Sequence, residues 1–383
     1  MERRGKGAPR LMNEDRATRY HRLGRRASLL STAWTLTLLS AAMATGASAA
    51  LRGWASGLRA DPGQTVVVAL YVLALSLLLE IATLPFAFYR GFLLERRYGL
   101  ATETMGHWLG DHLKAAGIGL VFGEVSAVLV YYALRHWPAT WWIVSAVGYT
   151  FIAIVLVNLA PVVLLPLFYR FKPLGKPSLR DRLTALAARA DTTIRGVYEW
   201  TLSDRTRKAN AALAGIGNTR RILLSDTLLA DYSDDEIEVI LAHELAHHVH
   251  RDIWSAVGLD AVLTFAGFYA ARRILQVGVP FFGLQSAADP AGIPMLLVAA
   301  GALGLVVRPL VNAISRSHER RADRYALEMT RNPSAFASAM RRLGQQNLAE
   351  ENPSTLVQAF FYSHPPIKDR LRAAHNWSAA GAR

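Results

Sequence analysis

Long apolar runs with few charges recur along this chain, at about 29–51, 64–89, 115–134, 141–169, 253–271 and 291–311. A helix needs roughly 20 apolar residues to cross a hydrocarbon core. The pattern therefore predicts about six membrane helices, four before residue 170 and two after 252. Buried core helices of a large soluble protein are the competing account, but so many runs of this length seldom coexist in a water-soluble chain.

Between the fourth and fifth runs the pattern changes period. "KPLGKPS" reads as a linker, and Ser178 with Asp181 predicts the start of a helix over 179–190. "GVYEWTL" at 196–202 has strand character, and "NAALAGIGNTRRILLS" reads as a hairpin turning at Gly215–Asn218. "YSDDEIEVILAHELAHHVHRD" opens with Ser233 and Glu236, the capping box of a helix start, before a periodic apolar run. The expected organisation is a basic tail (1–28), a membrane region (29–170), an insert with hairpin and histidine helix (171–252), two spans (253–312) and a C-terminal part (313–383). The fold class is mostly α, a polytopic bundle of about six spans carrying a small α+β domain.

Composition sharpens this picture. Hydrophobic residues make up 52% of 383, and 43 Lys and Arg against 29 Asp and Glu leave a net charge of +14. The basic residues are not spread as a nucleic-acid-binding surface would need. Arg16, Arg19, Arg22, Arg25 and Arg26 precede the first run, and Arg90, Arg96, Arg97, Arg170, Lys172 and Lys176 follow the second and fourth. This alternation is that of the positive-inside rule. It places the N-terminus, the 90–114 loop, the 170–252 region and the C-terminal part in the cytoplasm, excludes nucleic acid as a partner and leaves membrane lipid as one. Arg272 and Arg273 fit it less well. The first run is either an uncleaved anchor or, with "ASA" at 47–49, an export signal; the anchor is favoured. The chain has no cysteine, so any metal must be held by His, Asp or Glu.

His243 and His247 are four residues apart and share one face of the expected helix, with Glu244 between them. This is the H-E-x-x-H pattern, in which two imidazoles hold one zinc and the glutamate acts as general base on water. His248 and His250 lie off that face and read as solvated or facing lipid headgroups. A catalytic zinc takes three protein ligands and keeps one position open. "SRSHERRADRYALEM" at 315–329, read as a continuation of the last membrane helix, offers Glu319 as the third ligand and Asp323 as acceptor for a ligating imidazole. Taken alone, that segment is a charged surface helix.

With "ILAHELAHH" and "SRSHERRADRYA" in view, the chain resembles the M48 membrane zinc metalloproteases, and within them the type I CAAX prenyl proteases, the Ste24 group. "LPFAFYRGFLLERRYGLATETMGHWLGDHLK" resembles that group's N-terminal membrane region, which the shorter HtpX-like relatives lack, and similarity covers most of 80–375. The resemblance implies one Zn²⁺ on His243, His247 and Glu319, with Glu244 as base. It implies a zincin-like domain at the cytoplasmic face of a membrane, the bacterial inner membrane if the source is bacterial. "NAALAGIGNTRRILLSDTLL" places Asn210 at the family's substrate-contacting asparagine, and "SHPPIKDR" places His364 and Arg370 near the scissile bond. From the residues alone, Asn210 begins an extended run whose edge a peptide can join, or is a turn residue. His364 is an oxyanion donor, or part of a proline turn. Arg370 contacts substrate, or pairs with Asp369 or Glu351.

The implied substrate is a peptide or protein, prenylated at a C-terminal cysteine in the CAAX case. Two other functions stay open: membrane-protein quality control of the HtpX type, and a non-catalytic scaffold or transporter tied by zinc. Glu80, Glu124 and Asp260 fall inside expected spans, where they line an aqueous chamber or pair with Arg272, Arg273 or Arg308. Trp137, Trp141 and Trp142 read as an interfacial belt.

Overall fold

A computed structural model describes residues 8–58, 63–159, 163–215 and 219–381. Helix α1 (Ala8–Ala44) is followed by α2 (Ala47–Gly57), the chain turning at Gly46, whose φ of 77° suits a residue without Cβ. Helix α3 (Gln64–Phe88) contains Pro85 and runs on through a π-helical turn, Tyr89–Leu94, into Glu95–Arg97. A Cβ on Gly91 in that turn would fall 2.8 Å from Trp108 Nε1, so glycine permits the close approach of α4 (Met105–His136). Helix α5 (Trp141–Leu159) and a short turn, Leu165–Phe168, complete this half.

Among the described residues, five helical stretches are long and apolar enough to cross a membrane: Arg16–Ala44, Gln64–Arg97, Met105–His136, Asp252–Phe281 and Pro290–Thr330. The sixth expected span is shorter than the sequence implies. Its apolar helix covers Trp141–Val157, and the 141–169 run is broken into α5 and the separate 165–168 turn. Other boundaries move as well. The run at 29–51 breaks at Gly46, and the run at 115–134 is the inner part of a helix that starts at Met105, where the Thr104 side chain accepts from His107 N. The helix expected to end near 271 continues to Phe281, so Arg272 and Arg273 lie within it. Glu80 pairs with His112 at 2.7 Å, not with an arginine.

The remaining elements form a compact layer against this bundle. Strands β1 (Phe171–Pro173), β2 (Gly196–Trp200), β3 (Ala211–Ala214) and β4 (Arg221–Ser225) make one sheet in the order β1-β2-β4-β3. The expected hairpin is the antiparallel β3–β4 pair, with Ala211 opposite Leu224; residues 216–218 of its turn lie outside the described residues. Strand β2 lies parallel to β4, and β1 adds antiparallel to β2. Helix α6 (Pro177–Arg189) starts not on Ser178 but on Lys176, with Pro177 in the first turn and no side-chain cap. Pro at N1 has the helical φ built in and has no N–H to leave unpaired.

Helices α7 (Asp226–Asp231), α8 (Asp234–Val249), α9 (Asp252–Phe281), α10 (Ile293–Thr330), α11 (Pro333–Gln346), α12 (Thr355–Phe361) and α13 (Ile367–Gly381) follow. Helix α8 begins with the capping box as read: Glu236 N donates to Ser233 Oγ, and Ser233 N to Glu236 Oε2. Ile237, Leu241 and Leu245, each four apart, are wholly buried and pack with Leu183, Ile222 and Phe336 in one core. Each such leucine or isoleucine contributes about 1.5–3 kcal/mol by burial. That face anchors α8, which leaves the adjacent face, with His243 and His247, to meet α10.

Candidate active site

Helix α8 brings His243, Glu244 and His247, and α10 brings Glu319 and Asp323 alongside them. His243 Nε2 is 3.2 Å from Glu319 Oε2, and His247 Nε2 is 3.5 Å from Glu319 Oε1. One donor atom from each of His243, His247 and Glu319 lies within 4.8 Å of the other two. The two imidazoles stand at 86° with centroids 5.0 Å apart.

Each imidazole is held from behind by a carboxylate. His243 Nδ1 lies 3.0 Å from Asp323 Oδ1, and His247 Nδ1 lies 2.9 Å from Asp252 Oδ2. With Nδ1–H donating to aspartate, Nε2 is the nitrogen left to face Glu319 and any cation between them. Asp323 also takes a two-point contact from Arg370, whose Nε and terminal nitrogen donate at 2.9 and 2.5 Å. Asp252 also accepts from Arg321. Glu319 Oε2 is fully buried and accepts no well-aligned hydrogen bond. A buried carboxylate oxygen in that state, with two oriented imidazoles beside it, is a donor set that fits zinc: two nitrogens and one carboxylate, with room for a fourth partner.

The electrostatics agree with this. Burial works to lower the His243 pKa, but the Asp323 and Glu319 carboxylates on either side of the ring outweigh it and push it up to about 9. His247 is likewise raised, burial being overcome by its bond to Glu319. Burial pushes Glu244 up from its ordinary value, against the opposing pull of the two imidazoles.

A cleft of about 370 Å³ opens onto this cluster, walled by His243, Glu244, Asn210, His364 and Arg370 among others. Asn210 sits just before β3, the edge strand of the sheet, and is pinned to β4 by Ser225 N donating to its carbonyl at 3.0 Å. That pairing fixes the parity of the ladder, so Ala211 and Leu213 turn their peptide groups to the free edge. His364, in the bend before α13, is 63% exposed, with Nδ1 2.7 Å from Glu319 Oε2.

The residues read as a site from sequence therefore gather at one cleft and at the histidine–carboxylate cluster it opens on, but some of the contacts differ. Arg370 pairs with Asp323, not Asp369 or Glu351, and Asp369 faces Arg372 instead. His248 is half-buried and has a protein partner: its Nε2 lies 3.3 Å from the Leu213 carbonyl, on the free edge of β3. His250 stands edge-on to Tyr325, its Nδ1 buried. Asp252 was missed. It lies beyond the end of α8, and only the left-handed backbone of Arg251 (φ 56°) turns it back toward His247. The "HRD" at the end of the histidine run, five residues past His247, is the one signal that points to it.

Two oriented imidazoles and a buried carboxylate from a second helix, a glutamate beside them, and five helices fit to span a bilayer define a class: integral-membrane zinc metallopeptidases. More narrowly, the chain belongs to peptidase family M48, whose model matches residues 173–378; a second model, described as the CAAX prenyl protease N-terminal region with five membrane helices, matches residues 12–170. It is 30% identical to the uncharacterized metalloprotease YhfN of Bacillus subtilis, over 79% of this chain and 72% of that protein. It is 28% identical to CAAX prenyl protease 1 of Saccharomyces cerevisiae, over 78% and 70%. The crystal structure of S. mikatae Ste24p superposes with a TM-score of 0.86 at 24% identity, over 95% of this chain and 89% of that one, which establishes a shared fold.

Proposed function

We propose that this protein cleaves peptide substrates close to their C-termini, as a CAAX-type processing enzyme, with one zinc ion held by His243, His247 and Glu319. The observation that carries this is the cleft itself: a free strand edge, β3, runs beside the helix bearing Glu244. A peptide added to that edge is extended, the form in which its amides are exposed to attack.

Zinc, when bound, supplies Lewis-acid chemistry, polarising the scissile carbonyl and making water more acidic. The chain's own residues do the rest. Asp323 and Asp252 keep the two imidazoles in the tautomer that offers Nε2. Glu244 takes a proton from the attacking water and hands it to the leaving amine. His364, exposed in the cleft, donates to the carbonyl oxygen as charge gathers there. Asn210 contacts the peptide as it joins β3. Arg370, buried behind Asp323, acts on the substrate only through the wall of the cleft.

The site faces the cytoplasm, in a bacterial inner membrane, on this proposal. The foot of α1 is tied to the peptidase layer by His21 Nε2 to the Leu348 carbonyl (2.8 Å) and Arg25 to Glu350 (2.5 Å). The arginine-rich foot and the site therefore share one face, the face that basic residues mark as inside.

The test is to incubate the purified protein with prenylated and unprenylated peptides ending in a CAAX sequence, with and without chelator, and to identify products by mass spectrometry. Release of C-terminal residues, stopped by chelator and restored by zinc, is expected. Cleavage of internal bonds in unprenylated peptides alone would move the assignment to quality control. No cleavage by protein carrying stoichiometric zinc would leave the non-catalytic scaffold.

A further inference from the structure

Beside the catalytic cleft lies a second cavity, of about 620 Å³, whose wall includes Arg25, Arg90, Arg308, His21 and Tyr362. His21 and Tyr362 also line the catalytic cleft, so the two spaces share a wall. The three arginines come from α1, from the π-helical turn after α3, and from α10, and each lies in a helical stretch apolar and long enough to cross a membrane. Arg25 and Arg90 stand toward the proposed cytoplasmic ends of their stretches, and like charges gathered on one cavity wall repel unless they pair or serve a ligand. Arg25 is paired: it donates to Glu350 at 2.5 Å and to Tyr362 Oη at 3.1 Å. The one carboxylate on the cavity wall, Glu95, is bound by Lys208 at 3.0 Å and by the Tyr20 hydroxyl. Among the described residues no carboxylate pairs with Arg90 or Arg308; the Arg308 guanidinium rests 5.9 Å over the Phe361 ring. The cavity thus holds two uncompensated guanidinium groups next to the place where peptide bonds are hydrolysed.

We propose that this cavity is an anion subsite of the peptidase, in which Arg90 and Arg308 bind the C-terminal carboxylate of the substrate and so set how far from the end the chain is cut. This rests on the proposed cleavage near substrate C-termini. Guanidinium is the group best shaped to grip a carboxylate, by two parallel N–H donors. The distances suit it. Tyr362 is two residues from His364, which touches Glu319, roughly 7 Å of extended chain. Along α10, Arg308 and Glu319 are separated by about 16 Å of helix rise, a gap that about five extended residues cover. A carboxylate held here falls some two to five residues beyond the scissile bond. A lipid phosphate would find the same charge, but the shared wall with the catalytic cleft favours the substrate. The π-helical turn agrees, since such turns recur at functional sites.

The experiment uses the full-length protein in detergent with two quenched fluorescent peptides of one sequence, cleavable three residues from the end, finishing in a free carboxylate or in a carboxamide. Both are measured on each preparation of wild type, Arg90→Gln, Arg308→Gln, the double variant and Arg308→Lys, so losses of folded enzyme cancel in the ratio. For wild type, KM for the acid is expected to be about tenfold or more below that for the amide. That ratio should fall toward one in the double variant and recover in part in Arg308→Lys. A long peptide cut far from its ends reports the peptidase separately: chelator-sensitive cleavage of it with no acid preference in wild type overturns the subsite and leaves the peptidase standing. An acid preference that survives in the double variant overturns it too. So does an equal loss on both peptides that tracks the phosphatidylglycerol content of added vesicles, which would mark a lipid headgroup site.

Discussion

Asp323 is the residue whose replacement separates holding the metal from holding the fold. It is 3% exposed, accepts from His243 at 3.0 Å, and takes both prongs of Arg370. Asp323→Asn keeps the shape and removes the charge. The imidazole then loses the carboxylate that orients it and makes its Nε2 more basic, and partners of this kind govern metal affinity by about 10–100-fold, or about 1.4–2.7 kcal/mol. The second cost falls on Arg370. It is 9% exposed and would be left buried without its counter-charge, which costs about 3–5 kcal/mol. Adding Arg370→Met removes the orphaned cation, so stability should return in part while zinc affinity should not. Zinc affinity is read by competition with a chromogenic chelator, and stability by thermal unfolding in detergent with the metal stripped, so that metal linkage does not enter. Asp323→Asn binding zinc within threefold of wild type would refute the orienting role. An additional loss of stability on Arg370→Met in that background would refute the account of the ion pair.

Glu244→Gln should retain its zinc by elemental analysis while peptide turnover falls by about 10²–10⁴-fold, the usual contribution of a positioned base; turnover near the wild-type rate would remove Glu244 from the mechanism. Leu241→Ala, at a fully buried position of α8, should cost about 2–5 kcal/mol in unfolding experiments. Glu236 is drawn up by burial, but Ser338 Oγ donating at 2.6 Å, the Ser233 amide and Arg342 outweigh this and hold its carboxyl below the ordinary value. A depressed folded value means its contribution is present above the unfolded value and lost as pH falls through the folded one. The stability gap between wild type and Glu236→Gln should therefore be full above about pH 5 and shrink below about pH 4; a gap that widens on acidification would reverse the assignment.

Much of the site was legible because its residues lie at helical spacing on helices that announce themselves. The capping box at Ser233 and the apolar positions 237, 241 and 245 place His243 and His247 together on α8. The spacing of Glu319 and Asp323 does the same on α10. What sequence could not show are partnerships made only in three dimensions. Asp252 meets His247 because one non-glycine residue, Arg251, takes a left-handed conformation. Arg370 meets Asp323 because α13 folds back over α10. The extension of α4 ahead of the apolar run at 115–134 has another cause. Hydropathy measures the cost of a residue in lipid, not its capacity for helix, and His107, Asp111 and His112 are polar residues in unbroken helix. His107 and Asp111 approach within 3.7 Å, Asp111 binds Arg205 at 2.8 Å and His112 binds Glu80, so the helix continues where the apolar run does not.

The continuity of α10 decides how this site can work. One uninterrupted helix of 38 residues begins in an apolar stretch and ends carrying Glu319 and Asp323. On the proposed assignment, a ligand on such an element cannot move without moving the membrane helix or bending it, and the one proline in its interior, Pro309, lies three turns before Glu319. The opposing proposed ligands, His243 and His247, stand on α8, whose buried face is locked into the core of the peptidase layer. The proposed metal position is therefore defined by the docking of a membrane helix against a helix of the peptidase layer. Arg25 and His21 at the foot of α1, bonded to Glu350 and to the Leu348 carbonyl, clamp a second membrane helix to the segment that leads into His364. An isolated peptidase layer cut from the chain at residue 170 would keep α10 but lose this clamp. With it would go the fixed placement of the 348–364 segment on which the cleft wall and His364 depend.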